Sequence, residues 1–402
     1  MTHLYLKKGR EESLRRFHPW VFSGAIGGIE GPDPAEGDVV LVHAAQKELL
    51  GWGHYQIGSI AVRMLSFDPA EKPATDAAFW RGRLQRCLDA RKAFGLASAS
   101  NTNCYRLVHG EGDGLPGLII DWYDGVCVLQ AHSAGMFRAR TDIAAALRDI
   151  YGNTLLAVYD KSEGTAPFKA GLDLGDGYLW QATASAGACP RTVLENGHRF
   201  LVDWENGQKT GFFLDQRENR ALVERYARGR RVLNLFCYTG GFSVYALAGG
   251  AVSVDSVDSS ARAIELVEQN VALNFGPSAP HRALCCDAID FVKEAPKDAY
   301  DLMIVDPPAF AKHRGALPNA LRAYQRLNAA AIGSVAPGGI VFAFSCSQVV
   351  DREAFSLAIF SAAAETGRTV RIIDRLGQPA DHAVNIYHPE GAYLKGLVLY
   401  VE

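Results

Sequence analysis

The sequence predicts an α/β protein whose C-terminal part is an open, mostly parallel sheet, and three observations predict it. An apolar run, Val232 to Phe236, is followed by the glycine pair Gly240-Gly241 and then by a helical pattern. A second apolar run ends at Asp258. Further apolar runs and helical patterns then alternate to the end of the chain, which is typical of parallel strands joined by crossover helices.

Seven apolar runs predict the strands of this sheet. Predicted helices separate the earlier runs, whereas no helix separates the last two, so we expect those two to form an antiparallel hairpin at one edge. The predicted strands are residues 232–236, 252–258, 282–286, 300–305, 340–345, 370–373 and 394–401.

Two further domains are predicted before this one, which spans residues 195–402. Residues 1–70 show short apolar runs between turn residues, which favours a small β domain. Residues 73–190 mix helical and strand patterns, including an arginine-rich helix over 76–94 and a hairpin at Asp124-Gly125, which favours an α+β domain. Glu111 and Asp113 are paired carboxylates there, but turn chemistry accounts for both.

Composition limits the classes of function. The chain has 402 residues and a net charge of −3, which excludes a strongly basic field over the whole protein. Its eight cysteines show no C-x-x-C pair and no histidine spacing typical of zinc, so no metal site is expected. We find no signal-peptide pattern and no apolar run of membrane-spanning length, and we expect a cytoplasmic protein with reduced thiols and no membrane partner.

The start of the chain places basic residues beside aromatic ones. This combination suits RNA phosphates and stacked bases, and a solvated charged rim is the alternative interpretation. The residues concerned are Lys7, Lys8, Arg10, Arg15, Arg16, His18, Trp20 and Phe22.

The turn after the first sheet strand predicts a nucleoside cofactor. An acidic residue that closes the second strand, here Asp258, accepts both hydroxyls of a ribose. The turn at Gly240-Gly241 lacks the G-x-G-x-x-G spacing of dinucleotide sites, so S-adenosylmethionine is favoured. Asp287 follows the third strand and either accepts a hydrogen bond from the adenine amino group or caps the next helix.

Two neighbouring strand ends carry groups suited to catalysis. Asp306 closes a buried strand and is followed by Pro307-Pro308, which stiffens the loop beside the reactive end of the cofactor. Cys346 closes the next strand and is expected beside Asp306 at the same edge of the sheet. A lone cysteine is usually inert core, but its position at a strand end makes Cys346 a candidate nucleophile.

Together these motifs resemble the class I S-adenosylmethionine-dependent methyltransferases, and more closely the bacterial 23S rRNA cytosine-5 methyltransferases of the large-subunit methyltransferase I type. The resemblance covers the full chain and implies an N-terminal PUA-like barrel, a middle α+β domain and a Rossmann-like catalytic domain. It is carried by residues 18–22, 209–217, 234–242, 306–310, 344–347 and 389–396.

The resemblance implies roles for individual residues. Cys346 is expected to attack carbon-6 of cytosine, and Asp306 to hold the ring. Many RNA cytosine-5 enzymes have a second cysteine where this chain has Pro308. The residues expected to bind the cofactor are Gln216, Arg217, Phe236, Cys237, Gly240, Asp258, Asp287 and Asp306.

Two other functions stay open at the level of the sequence. One is methylation of an exocyclic nitrogen of guanine or adenine, and the other is a non-catalytic RNA-binding assembly factor. The expected partner is RNA, either 23S rRNA or a large-subunit precursor, and a homodimer is a further alternative.

Overall fold

The chain divides into two units in the computed structural model, which describes residues 1–167 and 170–402. The first unit comprises Met1–Val193, Val202–Leu214 and Ala380–Gly391. The second unit comprises Leu194–Leu201, Asp215–Pro379 and Ala392–Glu402. The chain therefore returns to the first unit for a short segment near its C-terminal end. Among the described residues, no helix combines the length and apolarity needed to span a membrane.

A six-stranded mixed sheet forms the N-terminal part of the first unit. Its strands lie in the order β2-β6-β5-β4-β1-β3, and a short helix α1 (Glu12–Arg15) follows β1. Alternate side chains such as Leu4, Val40 and Val62 are buried in its core. The strands are β1 (Thr2–Leu6), β2 (Trp20–Phe22), β3 (Ile26–Glu30), β4 (Val39–His43), β5 (Leu49–Tyr55) and β6 (Ile60–Ser66).

A five-stranded sheet with three helices forms the rest of the first unit's core. The strand order is β11-β10-β9-β8-β7, and Trp80, Ile120 and Leu147 are buried between sheet and helices. The elements are α2 (Ala77–Ala93), β7 (Cys104–His109), β8 (Leu118–Tyr123), β9 (Val126–Ala131), α3 (Ala134–Arg138), α4 (Arg140–Tyr151), β10 (Ala157–Asp160) and β11 (Gly177–Gln181).

The predicted hairpin between β8 and β9 is confirmed. Tyr123 pairs with Val126, and the two residues between them have positive φ, 45° at Asp124 and 96° at Gly125. Both central residues of a type I′ turn require positive φ, which is why an Asp-Gly pair is favoured there.

The arginine-rich helix α2 does not present all of its basic side chains to solvent. Arg91 is fully buried, and its guanidinium donates to both carboxylate oxygens of Asp113 and to the carbonyl of Asp381. Asp113 thus has a structural role as the partner of a buried cation. Arg91 is unavailable for contact with RNA.

The second unit contains the predicted seven-stranded sheet. A two-stranded sheet of β12 (Arg191–Glu195) and β13 (His198–Val202) precedes it in the chain. The sheet order is β16-β15-β14-β17-β18-β20-β19. The strands are β14 (Arg231–Leu235), β15 (Ser253–Asp258), β16 (His281–Cys285), β17 (Leu302–Val305), β18 (Gly339–Ser345), β19 (Val370–Leu376) and β20 (Lys395–Val401).

Helices connect the parallel strands, as the alternation predicted. Strands β14 to β18 pair in parallel, whereas β20 pairs antiparallel with both β18 and β19, so the expected antiparallel pair at one edge is confirmed. The strand order reverses between β14 and β17, and ligands of such sheets bind at the carboxyl ends there. The helices are α5 (Arg217–Ala227), α6 (Gly241–Ala248), α7 (Ala261–Phe275), α8 (Ala288–Glu294), α9 (Leu317–Ser334) and α10 (Arg352–Thr366).

Candidate active site

The turn between β14 and α6 has an unusual backbone. Phe236 and Tyr238 have φ of 57° and 47°, a region that side chains other than glycine rarely adopt, and Gly240 has φ of 79°. Such strain persists only where surrounding contacts impose it. Here the Tyr238 N–H donates to Oδ2 of Asp258 at 3.0 Å, and the Cys237 N–H donates to the Val257 carbonyl at 3.0 Å. The end of β15 therefore holds the turn in place.

Close packing explains the second glycine of the pair. A Cβ at Gly241 would lie 2.9 Å from Cδ of Arg220. Arg220 is itself fixed, because its guanidinium donates to both carboxylate oxygens of the buried Glu195 at 2.8 and 2.7 Å. The Tyr245 hydroxyl donates to the same carboxylate at 3.0 Å. The ion pair thus sets the position of the glycine turn.

Asp258 has the donor and acceptor chemistry that a ribose requires. Its Oδ1 accepts from the Ser260 N–H at 2.9 Å, and its Oδ2 accepts from Tyr238. A carboxylate oxygen accepts two hydrogen bonds, so each oxygen of this partly exposed side chain retains capacity for one hydroxyl donor. The residues at this strand end therefore fit an S-adenosyl nucleoside.

Asp287 adopts one of the two roles that the sequence left open. Its Oδ1 accepts from the N–H groups of Ile289 and Asp290 at 2.8 and 3.0 Å, so it caps helix α8. The side chain is exposed at the end of β16. Contact with an adenine amino group remains a prediction.

Gln216 and Arg217 lie in buried networks of the second unit. The Gln216 amide donates to Oδ2 of Asp306 at 2.9 Å, and its carbonyl oxygen accepts from Asn219 at 2.6 Å. Arg217 Nε lies 3.6 Å from Oε2 of Glu195. Their expected contacts with the cofactor remain predictions, and the structure adds that Gln216 orients Asp306.

Phe236 and Cys237, also expected near the cofactor, begin the strained turn. Phe236 is half-buried and packs against the core of the second unit. Cys237 is buried, which raises the pKa of its thiol well above the usual value. Cys237 is buried within the turn, whereas Cys346 is partly exposed, so Cys346 is the more accessible thiol of the two.

Asp306 follows β17 directly and carries a perturbed carboxyl group. Burial, together with the nearby charge of Asp215, raises its pKa to about 7, although the hydrogen bond from Gln216 opposes both effects. A carboxyl group with this pKa exchanges a proton readily near neutral pH. Asp306 is therefore suited to proton transfer as well as to hydrogen bonding.

Cys346 lies beside Asp306 in the sheet, as predicted. β17 and β18 are parallel with Val305 opposite Ala343, so both residues stand beyond the carboxyl ends of adjacent strands. Burial, together with the charges of Asp306 and Asp215, raises the pKa of the Cys346 thiol to about 12, although Lys395 opposes this effect. The thiol is protonated at neutral pH, so its use as a nucleophile requires a base.

Lys395 is a charged neighbour to which sequence reasoning assigned no role. It lies on β20 opposite Ser345 and is buried, and its ammonium donates to the carbonyls of Ser347 and Val350. Burial lowers its pKa to about 8. Its only sequence signal was its place in the motif at 389–396. Lys395 fixes the loop that follows Cys346.

The chain matches two family models. One, described as an S-adenosylmethionine-dependent methyltransferase, matches residues 105–398, and the other, described as a PUA-like domain, matches residues 4–67. The ribosomal RNA large subunit methyltransferase I of Aeromonas hydrophila is 39% identical over 400 residues, which is 98% of each chain. This chain belongs to that methyltransferase family.

Solved structures agree with this membership. A Streptococcus mutans protein described as a SAM-dependent methyltransferase aligns over 100% of both chains with a TM-score of 0.83 and 26% identity. A methyltransferase complexed with SAH aligns over 100% of both chains with a TM-score of 0.84 and 26% identity. The cofactor of this methyltransferase is therefore S-adenosylmethionine, and the predicted α/β fold with an N-terminal PUA-like domain is confirmed.

Proposed function

We propose that this methyltransferase forms 5-methylcytosine in large-subunit ribosomal RNA, with Cys346 as the nucleophile. The names of the relatives, 38–39% identical over nearly the full chain, support the RNA substrate. The observation that carries the chemistry is the pairing of Cys346 and Asp306 at the ends of two adjacent parallel strands. Together they supply a thiol and a carboxyl group that titrates near neutral pH.

A thiol is needed because carbon-5 of cytosine is too electron-poor to attack a methyl group directly. When sulfur adds to carbon-6, the ring becomes an enamine whose carbon-5 is electron-rich. Bound S-adenosylmethionine supplies the methyl group on a sulfonium sulfur. The chain's own residues must therefore deprotonate the thiol, hold the ring and later remove a proton from carbon-5.

Asp306 is suited to two of these tasks. As a carboxylate it takes the Cys346 proton while sulfur bonds to carbon-6, and as a carboxylic acid it then donates to the N3 edge of the ring. After methylation a base removes the carbon-5 proton, the electron pair reforms the ring double bond and the sulfur–carbon bond breaks. Gln216 keeps the Asp306 carboxyl group in one orientation throughout.

The exposed basic side chains of the first unit support RNA as the partner. Lys8, Arg10 and Arg16 are exposed near the start of the chain, and Phe17 and Phe22 expose about half of their side chains beside them. Cations that contact phosphates and rings that stack on bases are the usual components of an RNA surface. A base paired within folded RNA must also leave its stack to reach the half-buried Cys346 thiol.

Trapping with 5-fluorocytosine RNA tests the proposal. Fluorine cannot leave carbon-5 as a proton does, so the wild-type protein is expected to form a stable covalent complex in the presence of S-adenosylmethionine. Cys346→Ser is expected to abolish both the complex and methyl transfer while cofactor binding persists. Cys286→Ser, which removes an exposed thiol of the same unit, is the matched control and should behave as wild type.

Two outcomes would contradict the cysteine mechanism. Methylation by Cys346→Ser at a rate comparable to wild type would show that the thiol is structural. Mapping of the methyl group to an exocyclic nitrogen of guanine or adenine would establish the amino-directed reaction instead.

A further inference from the structure

A cluster of two histidines and one glutamate lies in the first unit, among residues far apart in the sequence. Ring nitrogens of His18 and His388 and a carboxylate oxygen of Glu390 lie within 4.8 Å of one another. Oε1 of Glu390 is 3.8 Å from Nε2 of His18, and its Oε2 is 3.9 Å from Nε2 of His388. None of the three is among the expected catalytic or cofactor-binding residues.

His388 is buried without satisfying its polar atoms. His388 is only 3% exposed, yet neither of its ring nitrogens has a hydrogen-bond partner among the described residues. Buried polar groups of proteins are normally satisfied, and a neutral imidazole nitrogen with a free lone pair is a metal ligand.

His18 is oriented so that its Nε2 faces the same point. Its Nδ1 accepts from the Trp20 backbone N–H at 3.2 Å and lies 3.4 Å from the Trp20 carbonyl oxygen. When the proton resides on Nδ1 and is donated to that carbonyl, the lone pair is on Nε2. An ion bound at Nε2 requires this tautomer, and the Trp20 carbonyl is then the outer partner of the ligand.

Trp20 forms a rigid wall beside the cluster. Its ring centroid is 4.3 Å from that of His388 with a steep angle of 67° between the rings. The indole N–H donates to Oε1 of Glu111 at 2.8 Å, which fixes the ring and places a second carboxylate near the cluster. His18 and His388, two of the three candidate ligands, therefore have restricted orientations before any ion binds.

We propose that His18, His388 and Glu390 bind one divalent transition-metal ion of the zinc class. Two imidazoles with one carboxylate favour zinc, nickel, copper or iron over magnesium and calcium. Bond lengths of about 2.0–2.2 Å place tetrahedral ligands about 3.3–3.6 Å apart. The 3.8 and 3.9 Å separations, each to a different oxygen of Glu390, exceed this range by a few tenths of an ångström, and the Glu390 side chain is 57% exposed and free to adjust.

The ion would join two distant parts of the first unit. His18 precedes β2 in the N-terminal sheet, whereas His388 and Glu390 lie on the segment Ala380–Gly391, which enters this unit late in the chain. Binding to the folded arrangement alone stabilises that arrangement. The proposed role is therefore structural, to fasten this segment to the N-terminal sheet.

Titration of the chelator-treated, full-length protein with Zn²⁺ and Co²⁺ tests the site. Exposed Cys285 and Cys286 are rival ligands, so every protein carries Cys285→Ser and Cys286→Ser. One equivalent of Zn²⁺ is expected by calorimetry, and Co²⁺ should give visible absorption bands without a thiolate charge-transfer band. Zn²⁺ should also slow hydrogen exchange of amides in 380–391.

The variants His18→Asn and Glu390→Gln are expected to weaken Zn²⁺ binding by at least about tenfold each, since even outer partners of metal ligands contribute that much. They are preferred to replacement of His388, whose burial makes misfolding a risk. His313→Asn and Glu12→Gln change exposed residues of the same types elsewhere and should retain wild-type affinity. Absence of saturable one-to-one binding at micromolar Zn²⁺, or undiminished binding by both ligand variants, would overturn the proposal.

Discussion

Asp306→Asn is expected to stabilise the second unit above pH 7 while it abolishes methylation. Burial raises the pKa of Asp306 to about 7 from its ordinary value of 3.8. Between these two pH values the folded state holds a proton that the unfolded state has released. The free energy of unfolding therefore falls as the pH rises from about 4 to about 7, and asparagine removes this loss.

The pKa difference sets the size of the effect. A folded value of about 7 against 3.8 is a difference of about three pKa units. Each unit corresponds to about 1.4 kcal/mol, so the gain at pH 8 has a ceiling of about 4 kcal/mol and should approach zero at pH 4. The asparagine oxygen still accepts from Gln216, so that hydrogen bond is retained.

Hydrogen exchange measured by mass spectrometry separates the two units. Amides of β14, β17 and β18 in Asp306→Asn should gain protection at pH 8, by up to about a thousandfold at the ceiling, and little near pH 4. Tryptophan emission is an internal control, because all six tryptophans belong to the first unit. The unfolding transition of the first unit, followed by this emission, should not shift. They are Trp20, Trp52, Trp80, Trp122, Trp180 and Trp204.

Asp301→Asn is the matched variant, at the opposite end of the same strand. Hydrogen bonds from Arg231 lower the pKa of Asp301, so this carboxylate stabilises the fold above its unfolded pKa and loses that contribution as the pH falls. Its replacement should reduce protection at pH 8, the reverse of Asp306→Asn. Equal protection of wild type and Asp306→Asn at pH 8 would show that Asp306 ionises in the fold without penalty.

Three further changes test other interactions. Asp258→Ala should remove most affinity for S-adenosylmethionine in calorimetry, since charge-assisted bonds to two hydroxyls contribute roughly 2–4 kcal/mol, and unchanged affinity would place the ribose elsewhere. Glu195→Gln leaves the Arg220 cation buried without its counter-charge and should cost about 3–5 kcal/mol, seen as reduced exchange protection in α5; a cost near zero would contradict a buried pair. Lys8→Gln with Arg16→Gln should lower the salt slope of RNA binding by about 0.7–0.9 for each phosphate that the protein no longer neutralises, and an unchanged slope would remove these residues from the RNA surface.

The sequence predicted the second unit well for a physical reason. Buried parallel strands are continuous apolar runs, and the crossover helices between them show the different hydrophobic periodicity of an α-helix. Because parallel strands end at one edge, Asp306 and Cys346 were predicted to meet without knowledge of any contact. The hydrogen bonds of Asp258 to the turn were not predicted, since they depend on the strained backbone at Tyr238.

Features that depend on contacts between distant residues were out of reach. Strand β2 has only three residues and β3 contains Gly27 and Gly28, so neither has a measurable period. Lys395 and Arg91 carry charges that a sequence places at the surface, but both are buried against partners elsewhere in the chain. The cluster at His18 joins residues about 370 positions apart, a separation at which no ligand spacing rule applies.

The late segment Ala380–Gly391 constrains the order of events during synthesis. The rest of the first unit is complete once Leu214 has been made, and 165 residues separate Leu214 from Ala380. At roughly 5–20 residues per second, the ribosome delivers the missing piece about ten to thirty seconds later. Until then the Asp381 partners of Arg91 and Arg106 do not exist. The nascent first unit therefore cannot complete its fold until the segment Ala380–Gly391 has been synthesised.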